Sequence, residues 1–191
     1  MTQEPDDVLK FWLQECSPED WYKQDDALDA TIRDRFEALW EQALAGKLGH
    51  WWRSPKGCLA FLILTDQFPR NMFRGTAKAF ATDELARDAA KRGIEQGLDL
   101  RVPEQERQFF YLPLEHSECI TDQDRAVRLI ASRMKAPETL LHARAHREII
   151  RQFGRFPFRN DALGRISRAC EAAFLKEGGY GSVIRGLKAE A

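Results

Sequence analysis

Apolar residues recur at intervals of three and four along nearly the whole chain, while runs that alternate apolar with polar positions are missing. That period belongs to helices with one buried face, so the chain is predicted to be all-α. Leu28, Ile32, Phe36, Leu39, Trp40 and Ala43 form one such stripe, with Asp25 or Asp26 placed to cap its start and Gly46 to end it. Pro18, Pro55, Pro103 and Pro137 mark further helix starts, where a missing backbone N–H costs nothing. Stops are expected at Pro69 and Pro113 and at Gly97, Gly154 and Gly178. Thr82, followed by Asp83 and Glu84, opens a helix that runs to about Gln96.

The pattern therefore predicts about eight or nine helices joined by short links, with no sheet. Successive antiparallel pairs suggest stacked helices, a tetratricopeptide-like αα superhelix, although no repeat of fixed period is present. Residues 1–178 are expected to form one domain, and the segment after Gly178, GGYGSVIRGLKAEA, a loosely attached tail covering residues 179–191.

Composition adds limits. Trp12, Trp21, Trp40, Trp51 and Trp52 all fall in the first 52 residues and are expected in the core, with Trp51 and Trp52 also able to line a pocket wall. The four cysteines, Cys16, Cys58, Cys119 and Cys170, lie far apart and predict free thiols in a reducing cytoplasm. The longest strictly apolar run, Cys58 to Leu64, is seven residues, where a spanning helix needs about 20, so no membrane partner is expected. Net charge is −1, which argues against nucleic acid, because a phosphate-tracking surface comes with a basic total. The charge is nevertheless uneven. Acidic residues outnumber Lys and Arg twelve to five through residue 50, and seven arginines face only Glu148 and Asp161 between His142 and Arg168. Pairing of the acidic half with the basic half is the simplest expectation.

Two proline turns carry the candidate chemistry. QFPRNMFRG at residues 67–75 holds Arg70, Asn71 and Arg74, and GRFPFRNDALGR at residues 154–165 holds Arg155, Arg159, Asn160 and Arg165. Aromatic residues should anchor each turn, with the asparagines bonding local backbone. If these arginines converge to about 6 Å, each pair repels by roughly 3 kcal/mol at an effective dielectric of 20, and something negative must offset it. Internal carboxylates can do so, with Asp66, Glu115, Glu118 and Asp161 available; an anionic ligand can too, since arginine grips it with two parallel hydrogen bonds.

His142 and His146 are four apart on a predicted helix and point with its apolar face. That spacing suits a metal pair, but no glutamate lies between them, and His116 with Glu115 and Glu118 could add ligands only if the fold brings their loop across, so neither metal nor cofactor is expected. His116 and Glu118 sit beyond a helix stop, where Ser117 or Thr121 can cap the next helix. The working expectation is a binding module for a small anion or acidic peptide, using Asp66, Arg70, Asn71, Arg74, His116, Glu118, His146, Arg155, Arg159, Asn160 and Arg165. The alternative is a hydrolase using His116, Glu118 and His146, with or without a divalent metal. Ser117 lacks the GxSxG elbow of a nucleophile, and no Gly-rich phosphate loop occurs.

Several stretches resemble a bacterial family catalogued as domain of unknown function 924: DQFPRN at 66–71, FRGT at 73–76, AFATD at 79–83, YLPLEHSE at 111–118 and HREIIRQFGRFP at 146–157. The likeness extends from the Phe11-Trp12 and Trp21 segments to about Leu175. It implies an all-helical, tetratricopeptide-like fold and no assigned activity. The chain departs from the family pattern where Phe158 replaces a histidine, where Cys119 replaces an aspartate, and where residues 167–171 read SRACE rather than STPEE. The lost histidine and carboxylate weaken a metal or acid–base mechanism at this place.

Overall fold

Amphipathic periodicity of this kind can be satisfied only by helix packed on helix, and the computed structural model, which describes residues 4–189, shows no strand among them. Residue contacts divide the chain into two units, Met1–Pro113 and Leu114–Ala191, where the sequence pattern predicts one domain up to residue 178. The N-terminal unit contains α1 (Pro5–Lys10), α2 (Asp26–Leu44), α3 (Pro55–Leu62), α4 (Phe68–Met72), α5 (Asp83–Glu95) and most of α6 (Glu104–Glu115). The C-terminal unit contains α7 (Ile120–Arg133), α8 (Pro137–Phe153), α9 (Ala169–Lys176) and α10 (Gly179–Ala189). No helix among the described residues is long and apolar enough to cross a membrane.

Asp25 caps α2 as expected: its carboxylate accepts the backbone N–H groups of Ala27 and Leu28, and Ile32, Phe36, Leu39, Trp40 and Ala43 turn inward. Around them the N-terminal core is aromatic. Phe68 meets Phe11, Trp12 and Phe36, and Trp21 donates its indole N–H to the carbonyl of Trp12 at 2.8 Å. Cys16 and Cys58 are buried, whereas Cys119 and Cys170 are exposed, and all four are free thiols.

Three proline assignments change. Pro69 does not end a helix; it sits in the first turn of α4, which continues α3 through a π-helical turn at Ile63–Gln67. The wider turn absorbs the clash between the proline ring and the preceding coil. The carbonyl of Thr65, which Pro69 has no N–H to meet, accepts the Thr82 hydroxyl at 2.6 Å instead. Thr82 in turn accepts the Trp40 indole N–H at 3.0 Å, so its side chain makes no helix cap. Pro113 lies inside α6, so near the end that it removes one bond only, and the Gln123 amide supplies donors to the carbonyls of Glu115 and Ser117. Pro18 starts no helix: the Ser17 hydroxyl and N–H both donate to Asp20 and close a turn.

In the C-terminal unit, α7 and α8 are joined by Met134–Ala136 alone, a link that forces an antiparallel pair. Gly154, at φ 72°, ends α8 in the left-handed conformation expected of it. Ile149, Ile150, Phe153, Phe156 and Phe174 form the core of this unit. The segment predicted to be a loose tail is instead helix α10 through Ala189, with Tyr180 and Val183 packed on that core. Residues 190 and 191 lie outside the described chain.

Candidate functional site

The histidines of α8 owe their placement to the same spacing as its core residues. His142, His146, Ile149, Ile150 and Phe153 share one face, so the rings stand where α10 and the turn after Gly154 pack. The His146 ring has three aromatic or imidazole neighbours among the described residues. His116 lies edge-on at 5.9 Å between centroids, Phe156 at 5.6 Å, Tyr180 at 5.0 Å, and the His142 ring stacks on Tyr180 in its turn. Arg159, 7 % exposed, lays its guanidinium over the Phe156 ring at 4.5 Å.

Both acceptors beside His146 Nδ1 fix its tautomer. The carbonyl of His142 is 2.9 Å away and the carboxylate of Glu115, itself buried, is 3.6 Å away. Neither can donate, so Nδ1 carries the hydrogen and Nε2 keeps its lone pair. Burial, then the neighbouring His116 and Arg159, push the His146 pKa down to about 3, so the ring is neutral at physiological pH. His142, lowered by burial, meets the Tyr180 hydroxyl at 2.6 Å, and burial followed by the charge of Glu115 raises the phenol.

Two glutamates lock the loop that carries the FPFRN turn. Burial alone would raise the Glu118 pKa, but Arg165, the Phe156 N–H and Arg159 bring it below its ordinary value. Arg165 grips both oxygens of Glu118 at 2.8 Å, and Phe156 N donates to one of them at 2.9 Å. Glu171, fully buried, accepts two hydrogen bonds from the Arg155 side chain and two from that of Arg168, with further donors from Arg168 N and Asn160. Arg155 also donates to the carbonyl of Ile166 and Arg168 to that of Phe153, the last residue of α8.

The N-terminal unit closes its own proline turn in the same way. Arg70 bridges Asp66 and Asp83, and donates to the Asp66 carbonyl at 2.6 Å. Asn71 and Arg74 both bond Asp29, the arginine through two N–H groups at 2.9 Å. Of the predicted residues, then, Asp66, Arg70, Asn71 and Arg74 belong to one unit, and His116, Glu118, His146, Arg155, Arg159, Asn160 and Arg165 to the other. Arg70, Arg74, Arg155 and Arg165 each spend a guanidinium on an internal carboxylate, the outcome the sequence left open. Among the described residues, no group of three or more His, Cys, Asp and Glu side chains is placed to hold a metal ion.

Sequence reasoning passed over Asp29, Glu171 and Tyr180. Asp29 looks like an ordinary first-turn acid favouring the helix dipole, Glu171 follows a loop with no period, and Tyr180 lies in the glycine-rich stretch taken for a tail. The surplus of arginine over acid between His142 and Arg168 was the available signal that a carboxylate must arrive from just beyond.

The sequence profile of a family described as bacterial protein of unknown function (DUF924) matches residues 8–179. The chain belongs to that DUF924 family. No curated protein matches it. A solved structure, that of the protein of unknown function ATU0120 from Agrobacterium tumefaciens, is 41% identical, covers 91% of this chain and 97% of its own, and superposes with a TM-score of 0.86. DUF924 membership and this likeness establish the helical fold and leave the activity unassigned.

Proposed function

We propose that the C-terminal unit of this DUF924 protein is a binding module for a small anion that also carries a proton donor, such as a hydrogen phosphate or a hydroxy acid. The single observation behind this reading is the pinned tautomer of His146, which leaves Nε2 as a neutral acceptor in a cluster that also holds the positive charge of Arg159. A ligand hydroxyl would donate to Nε2, and its anionic oxygens would be drawn to Arg159. Arg155, Asn160 and Arg165 hold the turn in shape and leave recognition to others. A hydrolase built on Glu118 fits less well, because both oxygens of that carboxylate are engaged by Arg165, and the Ser117 hydroxyl donates to Asp122 at 2.9 Å.

The test is titration of isotopically labelled protein with phosphate, sulfate, malate and succinate while the His146 ring resonances are followed. Phosphate and malate, which can donate, should move Nε2 and raise the melting temperature; a ligand at 100 times its Kd stabilises by about 2.7 kcal/mol. Sulfate and succinate, without a donor near neutral pH, should do so more weakly. H146Q should abolish the difference. If all four anions leave the ring resonances and the melting temperature unmoved, the reading is wrong.

A further inference from the structure

The N-terminal unit has a cleft of about 420 Å³ whose lining includes Asp26, Asp29, Ala30 and Arg33 of α2 with Asn71 and Arg74 from α4 and the turn after it. Positions 26, 29, 30 and 33 recur at three and four, so one face of α2 forms a wall. Asp29, 8 % exposed, is its fixed floor, holding Asn71 at 2.8 Å and Arg74 through two bonds at 2.9 Å. The charges of Asp29 and Arg74 thereby cancel. Those of Asp26 and Arg33 do not. Arg33 turns Nε and Nη2 to the carbonyl of Met72, a neutral acceptor, and Asp26 makes no ion pair among the described residues. The Nη1 groups of Arg33 and Arg74 likewise have no hydrogen-bond partner among the described residues.

One cleft thus presents uncommitted guanidinium N–H groups and an uncommitted carboxylate on a rigid, internally paired base. A ligand of one sign would leave the other charge unmatched, whereas a zwitterion matches both. We propose that this cleft binds an α-amino acid or a free amino acid-like terminus, its carboxylate on Nη1 of Arg33 and Arg74 and its ammonium group at Asp26. The volume lies within the range of about 300–1,000 Å³ of small-molecule sites. Affinity should be on the order of millimolar, because both charges stay hydrated at the rim. This site stands independently of the histidine cluster and survives if that reading fails.

Side-chain Nε–H resonances of Arg33 and Arg74, followed in the full chain during titration with glycine, acetate and methylamine, supply the test. Glycine should shift both resonances with a saturable curve, while acetate and methylamine bind at least about tenfold more weakly. D26N should bring glycine down to the level of acetate, R33Q should remove the response at Arg74, and D26E, which keeps the charge, should retain glycine binding. Equal affinity for acetate and glycine, a D26N variant that binds glycine like the parent, a D26E variant that fails to bind, or no shift at about 50 mM glycine would each overturn the proposal.

Discussion

Burial beside another histidine and a guanidinium makes protonation costly, and His146 shows the effect most strongly, with its pKa pushed down to about 3. An unfolded histidine titrates near 6.5, so between about pH 6.5 and 3 the unfolded chain binds a proton that the folded one refuses. Stability should therefore fall as pH drops through that window, by about 1.4 kcal/mol per pH unit for one proton, and be independent of this group above it. Urea unfolding at pH 5, 6 and 7 checks the slope, and H146Q should flatten it. His142, lowered in the same direction, contributes to the same window and calls for H142Q as companion. Glu171 predicts the reverse experiment. Its pKa is held well below the carboxylate range by Arg155 and then Arg168, so E171Q leaves two guanidinium groups facing an amide. The variant should melt several degrees lower than E177Q, an exposed substitution in the same region.

Between elements, side chains do work that backbone bonds cannot. The Thr82 hydroxyl serves the Thr65 carbonyl and the Trp40 indole at once, both buried. T82V keeps the shape, removes both bonds, and should cost about 1–3 kcal/mol in denaturant unfolding because the stranded groups have no water to turn to. This arrangement also explains where sequence reading stopped. Leu28 to Ala43 was legible because spacing, cap and burial agree. Pro69 was misleading, because a proline normally ends a helix and nothing local announces the π-helical turn that accommodates it. Thr82 has the sequence context of a cap, and only a partner 17 residues away redirects it. His146 on an apolar face was readable from period alone; the Glu115 carboxylate beside its Nδ1 was not, since Glu115 belongs to another helix.

At the scale of the molecule, arginine-rich and acid-rich stretches were expected to pair across the sequence, and the named pairs close inside each unit instead. Arg155 and Arg168 take Glu171, Arg165 takes Glu118, and Arg147 takes Asp124, while Arg70 and Arg74 take Asp66, Asp83 and Asp29. Units with their own cores and their own ion pairs should open with their own free energies. Native-state hydrogen exchange in rising urea should sort the slow amides into two classes, one from α2, α3 and α5 and one from α7 and α8. A single shared class would refute this.

Thiol chemistry follows from the same packing. Burial raises the Cys16 and Cys58 thiols, to about 11 and about 12, while Cys119 and Cys170 stand at the surface, each beside one of the two glutamates that lock the FPFRN loop. Maleimide reagents should accordingly modify two of four sulfurs, and the native chain comes with a matched pair of attachment points for spin or fluorescent reporters. A probe on each would register any rearrangement around Glu118 and Glu171 without a single engineered residue.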